Sequence, residues 1–283
     1  MVTLAVYVLA CLASQVRPKK DPMSLKNVAF SIILLSLLSL VYSCKKEQST
    51  GKIVFTFVHY DDGEPLVTDT MKYVNAAGNH YMITELQYFI SDIVLHRSGG
   101  QDYMITQSNG IHYVDNDIPS TMQWAIAEDI PAGTYDSISF TFGISEAKNQ
   151  SNMFPDPPER DMFWPDVLGG GYHYMKLNGK WRNDTTAEQM LMFHLGIGQI
   201  YDGDSITGFI QNAFNVTLPA SSFVLSDNSQ REIEIVMNIE EWFEDPYVFD
   251  FALYADMMMQ REESMHMACM NGQHGVFSVG YVR

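Results

Sequence analysis

The sequence predicts an all-β protein, an antiparallel β-sandwich of the immunoglobulin-like class with a short helix near its C-terminus. Two observations carry this prediction. Short stretches rich in Val, Ile, Phe, Tyr and Thr recur along the chain between Gly, Pro, Asn and Asp turn signals. Helical spacing is weak and occurs only after Glu240 and between residues 251 and 269, so strands and helices do not alternate as they do around a parallel sheet.

The first strand is predicted at residues 52–60 (KIVFTFVHY), a β-rich run that ends at Asp61-Asp62-Gly63. Asn178-Gly179 predicts the clearest hairpin turn, because both residues accept the positive φ of a type I′ turn. Eight further strands are predicted at residues 81–96, 101–106, 111–114, 134–142, 172–177, 189–195, 214–218 and 232–239.

The N-terminus has the features of a lipoprotein signal peptide. A short basic region after Met23 precedes an apolar run of 13 residues, VAFSIILLSLLSL, which is too short for a transmembrane helix. Val41-Tyr42-Ser43-Cys44 resembles the lipobox of bacterial lipoproteins, in which diacylglycerol is attached to the cysteine before cleavage. An ordinary signal peptide followed by an incidental cysteine is the alternative.

These features divide the chain into three segments. Residues 1–43 are predicted to be an N-terminal extension and signal peptide, with Met23 as the true start. Residues 44–51 are a lipidated tether, and residues 52–283 are one β-sandwich domain. The domain is expected in the cell envelope, anchored to a membrane by the lipid on Cys44 and facing the periplasm or the outer-membrane surface.

Charge and cysteine content exclude some classes of function. Once the four basic residues and one acidic residue of residues 1–43 are removed, 13 basic and 33 acidic residues remain, a formal charge of −20. Such a surface repels nucleic acid and anionic lipid headgroups and attracts cations and basic partners. With Cys11 removed and Cys44 acylated, Cys269 is the single remaining thiol, so no intrachain disulfide is available.

The C-terminal tail is the first candidate for chemistry. Residues 257–274 (MMMQREESMHMACMNGQH) contain six methionines together with His266, Cys269 and His274. Thioether, thiolate and imidazole ligands favour the soft Cu(I) ion. Methionine is also a flexible core residue, so packing is the alternative for the methionines.

A second candidate cluster joins a glycine-rich aromatic loop to two strands. Residues 162–181 (MFWPDVLGGGYHYMKLNGKW) are predicted to carry His173 and Met175 on one face of a strand, and His194 follows in the next apolar strand. An antiparallel pairing would bring the two imidazoles together as a half-site for copper or zinc. The alternative is that each is a core histidine that donates to a carbonyl.

Catalytic motifs are absent from the sequence. It contains no Gly-x-Ser-x-Gly, His-Glu-x-x-His, phosphate-binding loop or Cys-x-x-Cys-His. The adjacent acids Glu240-Glu241 and Glu262-Glu263 are typical of a solvated face in so acidic a chain. The protein is therefore predicted not to be an enzyme.

Four motifs, taken in order, resemble one family. They are residues 88–95 (YFISDIVL), residues 142–144 (FGI), residues 171–179 (GYHYMKLNG) and residues 193–196 (FHLG). Their order and spacing are similar to those of the MbnP-like proteins, the copper-binding proteins found with methanobactin operons and more widely in bacterial envelopes. The resemblance extends over most of residues 52–280.

The resemblance implies a β-sandwich envelope protein that binds one copper ion, encoded beside a dihaem protein similar to the MauG peroxidases. In methanobactin-linked members that partner oxidises the first tryptophan of a Trp-x-Trp motif to kynurenine, and copper loading depends on this change. Here the corresponding loop reads Phe163-Trp164-Pro165-Asp166, without Trp-x-Trp, which leaves Trp164 as the nearby candidate for oxidation.

The leading hypothesis is an envelope lipoprotein that binds one Cu(I) ion per chain for copper acquisition or homeostasis. His173 and His194 are the first expected ligands, and His59, Met175 and His266 are the further candidates.

The alternative hypothesis is a surface lipoprotein without a metal. It would grip a sugar or peptide with the loop aromatics Phe163, Trp164, Tyr172 and Tyr174.

Overall fold

A computed structural model describes residues 49–283. The predicted signal peptide, Cys44 and most of the tether lie outside the described residues. The strands are β1 (Thr50–Asp61), β2 (Glu64–Pro65), β3 (Tyr73–Val74), β4 (His80–Arg97), β5 (Tyr103–Met104), β6 (Ile111–Asp115), β7 (Gln123–Ala125), β8 (Ile130–Pro131), β9 (Gly133–Phe142), β10 (Met175–Arg182), β11 (Gln189–Leu195), β12 (Gly198–Asp202), β13 (Ser205–Ile210), β14 (Phe214–Leu218), β15 (Phe223–Leu225), β16 (Gln230–Asn238) and β17 (Phe277–Val282).

The helices are short, and both α-helices of the described residues lie in the C-terminal part of the chain. They are α1 (Phe251–Tyr254), α2 (Glu262–Gly272) and 3₁₀ helices at Gln107–Gly110, Pro119–Thr121, Glu159–Met162, Asp166–Leu168, Glu240–Phe243 and Met258–Gln260. In residues 49–283, none of these helices has the length and apolar character needed to cross a membrane.

Two sheets pack face to face, which confirms the predicted β-sandwich. The larger sheet has the order β11-β10-β4-β9-β14, and the smaller has the order β17-β16-β1-β2. Side chains from the two sheets meet in the core, where Phe140 of β9 lies 5.2 Å from Phe277 of β17 between ring centroids. β12 and β13 form a separate hairpin.

One strand pair departs from the predicted antiparallel arrangement. β1 and β16 pair in parallel, with Phe55 opposite Ile233 and Phe57 opposite Ile235, whereas the other strand pairs of the described residues are antiparallel. Parallel pairing is allowed because most of the chain separates these two strands, so no tight hairpin connects them.

Side chains along β10 and β11 point alternately into the core and away from it. Leu191 and Phe193 of β11 are fully buried, whereas Met190 and Met192 are 63% and 53% exposed. In a strand successive side chains point to opposite faces, so His194 lies on the same outer face as Met190 and Met192.

Asn178-Gly179 is not a hairpin turn, so that prediction is wrong. Both residues lie inside β10, at an irregularity in its pairing with β4. A Cβ atom on Gly179 would come within 2.0 Å of the Met82 carbonyl oxygen. Glycine is therefore required here for close approach of two backbones, and the connection between β10 and β11 is made by residues 183–188 instead.

We expect Gly179→Ala to lower the free energy of unfolding by about 1–3 kcal/mol, because the new methyl group overlaps backbone atoms that cannot turn aside. Urea unfolding followed by circular dichroism measures the change. Gly208→Ala in β13 is the matched control, because a Cβ there would meet nothing closer than 3.4 Å. Equal stability losses in the two variants would contradict the close approach at Gly179.

Candidate metal centre

The candidate centre lies on the outer face of the larger sheet, where β10 and β11 pair. Lys176 of β10 stands opposite His194 of β11, and Asn178 stands opposite Met192. The loop before β10 doubles back on itself, since the Trp164 amide donates to Gly171 O at 2.9 Å and the His173 amide donates to Met162 O at 2.6 Å. This loop brings His173 to the edge of the strand pair.

The structure places His173 and His194 next to each other. Their ring centroids are 5.1 Å apart, and the ring planes are nearly perpendicular, at 82°. His173 is 5% exposed, and His194 is partly buried. Two histidines from neighbouring segments therefore share one desolvated position on the sheet.

The hydrogen bond of His173 fixes which of its nitrogens is free. Nδ1 lies 3.0 Å from the Met162 carbonyl oxygen, which can only accept, so Nδ1 carries the proton. Nε2 then carries the lone pair. A ring N–H that donates to a backbone carbonyl is the usual arrangement behind a metal-binding imidazole.

His194 is oriented by two polar side chains. The Asn178 amide nitrogen donates to the Glu85 carboxylate, which turns Asn178 Oδ1 towards His194. Nε2 of His194 lies 2.7 Å from that oxygen and must donate to it. Nδ1 of His194 then carries the lone pair.

This Nδ1 atom of His194 is buried and has no hydrogen-bond partner among the described residues. A buried polar atom without a partner costs about 1–3 kcal/mol. A cation bound at Nδ1 would remove this cost, so the atom fits a metal ligand.

Both imidazoles are neutral at physiological pH. Burial, with a smaller effect of neighbouring His194, lowers the pKa of His173 from its ordinary value to about 3. Burial, with a smaller effect of Lys176, lowers the pKa of His194 to about 4. Neither lone pair is therefore blocked by a proton at neutral pH.

A methionine-lined pocket opens beside His194. It has a volume of about 150 Å³ and is lined by Met192, Met257, Met258 and Met259 in addition to His194. Met258 is 2% exposed, whereas Met257 at the rim is 63% exposed. The pocket therefore presents thioether sulfur both at the surface and near the imidazole.

Trp164 packs directly against the histidine pair. Its indole lies 4.7 Å from the His173 ring, at an angle of 76°, and is fully buried. Its Nε1 donates to Leu168 O at 3.1 Å. A Cβ atom on Gly196 would come within 2.5 Å of the indole, so glycine at this position is what lets Trp164 reach the site.

The three further candidates do not join the pair. His59 has both ring nitrogens occupied, by Asn116 Oδ1 at 3.0 Å and by the Tyr88 hydroxyl at 3.2 Å, so it is a satisfied core histidine. Met175 is fully buried on the inner face of β10. His266 lies on α2 and lines a different cavity.

The loop aromatics do not form an exposed platform, which counts against the sugar- or peptide-binding alternative. Trp164, Tyr172 and Tyr174 are at most 1% exposed, and Phe163 alone reaches 40%. The Tyr172 hydroxyl accepts the Phe154 amide proton at 2.9 Å, so that tyrosine is part of the packing.

Sequence reasoning missed Asn178 and Met192 as members of the site. Asn178 was assigned to a turn, although its position two residues after Lys176 puts it on the same strand face. Met192 precedes His194 by two residues, and this spacing in a strand was the available signal. No group of three or more His, Cys, Asp or Glu side chains within residues 49–283 is placed to hold a metal ion. The candidate centre offers two imidazoles and the thioethers of its pocket.

We expect ¹⁵N-resolved NMR at pH 7 to find His173 in the Nδ1–H form and His194 in the Nε2–H form. Lowering the pH should leave both rings neutral down to about pH 4 for His194 and about pH 3 for His173, because burial disfavours the charged forms. A titration midpoint of His173 or His194 near the ordinary histidine value of 6.5 would contradict the buried, hydrogen-bonded pair.

Comparison with known proteins agrees with the motifs in the sequence. No curated protein matches the chain. The solved structure of MbnP from Methylosinus trichosporium is 15% identical, with a TM-score of 0.44 over 68% of this chain and 76% of that one. The MbnP family model matches residues 50–266, which include both histidines of the candidate centre. The chain therefore belongs to the MbnP family.

Proposed function

We propose that this protein is an envelope lipoprotein that binds one Cu(I) ion at His173 and His194, acts in copper acquisition or homeostasis, and is not itself an enzyme. The observation that carries the proposal is the buried Nδ1 atom of His194, which lacks a hydrogen-bond partner among residues 49–283. It lies beside a second neutral imidazole and a methionine-lined pocket.

The ligand types favour Cu(I) over harder ions. Neutral imidazole and thioether are soft or borderline donors, whereas Mg²⁺ and Ca²⁺ prefer carboxylate and carbonyl oxygens. Lys176 lies close enough to lower the pKa of His194, so its charge opposes an incoming cation. A monovalent ion suffers less from this repulsion and costs less to bury than a divalent one.

Each residue of the site has a distinct part in holding the ion. His173 Nε2 and His194 Nδ1 would supply two ligands, and Met258 is the buried methionine that lines the same pocket as the second imidazole. Asn178, held by Glu85, fixes the orientation of His194, and the Met162 carbonyl fixes that of His173. Exposed Met192 and Met257 offer the first contacts to copper arriving from solution.

The envelope location and the partner are parts of the same proposal. The lipobox at Cys44 supports a lipid anchor. The resemblance to the methanobactin-linked proteins is the ground for proposing a dihaem peroxidase-like partner. Trp164 is the residue on which such a partner would act, because its indole packs on His173. Oxidation of the indole would change a side chain in contact with the proposed ligand.

We expect His173→Ala/His194→Ala to lose one equivalent of Cu(I), because both nitrogen ligands are removed. Competition with a chromophoric Cu(I) chelator under reducing, anaerobic conditions measures the equivalents bound. His80→Ala is the matched control, because this histidine lies outside the site and pairs with Asp184.

The proposed oxidation of Trp164 is tested by mass spectrometry of the wild-type protein purified from its native envelope. A gain of oxygen on Trp164 is expected.

Wild-type affinity in the double variant would show that the copper site is elsewhere. An unmodified Trp164 in copper-loaded native protein would contradict the proposed action of the partner but leave the copper site standing.

A further inference from the structure

A second cluster of soft ligands, Met265, His266 and Cys269, lies on one face of α2. Together with Glu262 ahead of them, they follow the spacing i, i+3, i+4 and i+7, which aligns them along a single stripe of the helix. All four line one cavity of about 80 Å³, which Asn212 also lines. The copper site proposed at His173 and His194 uses none of these side chains.

The sulfur of Cys269 is buried and poorly satisfied. Cys269 is 8% exposed and forms no disulfide. Its thiol donates weakly to the Asn212 carbonyl oxygen at 3.7 Å, and its sulfur accepts no hydrogen bond from the described residues. The sulfur lone pairs are therefore available on the wall of the cavity.

The neighbouring ligands complement this thiol. Met265 is 2% exposed, so its thioether is held in the protein interior. His266 is exposed and lines the same cavity, and its ring nitrogens form no hydrogen bond with any described residue. The cavity therefore has an exposed imidazole and buried sulfur in its lining.

We propose that α2 carries a second soft-metal site, in which Cys269 and His266, assisted by Met265, bind Cu(I). The cavity is large enough for one ion and too small for an organic ligand of ordinary size. Binding breaks the S–H bond of Cys269 and forms a sulfur–copper bond, and the proton passes to water. Neither copper nor sulfur changes oxidation state in this step.

The free thiol is inert until the metal arrives. Burial raises the pKa of the Cys269 thiol to about 12, so the reactive thiolate is scarce at neutral pH.

The test is a Cu(I) titration of the reduced protein, purified from its native envelope, against a chromophoric chelator. Wild type should bind two equivalents, and Cys269→Ser and His173→Ala/His194→Ala one each. The triple variant that combines these substitutions should bind none. His274→Ala, which changes an exposed histidine of the same tail, is the matched control and should retain two.

A second readout identifies the ligand. The one equivalent bound by His173→Ala/His194→Ala should produce the ultraviolet charge-transfer absorption of a Cu(I)–thiolate bond, and His266→Ala in that background should weaken the binding at least tenfold. Thermal unfolding verifies that each variant is folded, and serine is close in size to cysteine, so the buried position is little disturbed.

The two proposals fail in different ways. If His173→Ala/His194→Ala binds no copper and Cys269→Ser loses none, the site on α2 is overturned and the histidine pair stands. If the double histidine variant keeps every equivalent and Cys269→Ser loses one, the histidine pair fails and the site on α2 stands.

Discussion

The pairing of β10 with β11 is the constraint on which the candidate centre depends. Its register puts Lys176 opposite His194 and Asn178 opposite Met192 on one outer face. Asn178 can orient the imidazole only because β10 continues through Gly179 at a close approach to β4. A glycine that carries no chemistry therefore decides where a proposed ligand points.

Much of the fold could be predicted from the sequence, because alternation and turn signals are local. The bounds of β11 and β14 agree with the prediction to the residue, and β4 differs by one residue at each end. The predicted hairpin at Asn178-Gly179 was wrong, because the same dipeptide suits both a type I′ turn and a bulge inside a strand. Only the pairing with the neighbouring strand β4 distinguishes the two. The parallel pairing of β1 and β16 has no local signal at all.

The candidate site could be predicted in part, because the strands that position it have local sequence signals. The expected pairing of two antiparallel strands predicted that His173 and His194 lie close together, and they do. His173 lies in the loop before β10, however, and not in the strand where it was expected. The sequence could not show that His59 is a core histidine and not a ligand. Its ring nitrogens are hydrogen-bonded to Asn116 and Tyr88, which are distant from it in the chain. The pocket beside His194 could not be predicted either. Its wall includes the 3₁₀ helix Met258–Gln260, whose position depends on packing between residues that are far apart in the chain.

The parallel contact between β1 and β16 also has a consequence for the order of folding. Residues 52–60 pair with residues 230–238, so the smaller sheet cannot close until nearly the whole chain is present. Contacts between such distant residues slow folding, because a long loop must be closed before they are gained. For the export to the envelope proposed above, this delay would be useful, since a domain that cannot close early does not block its own passage across a membrane.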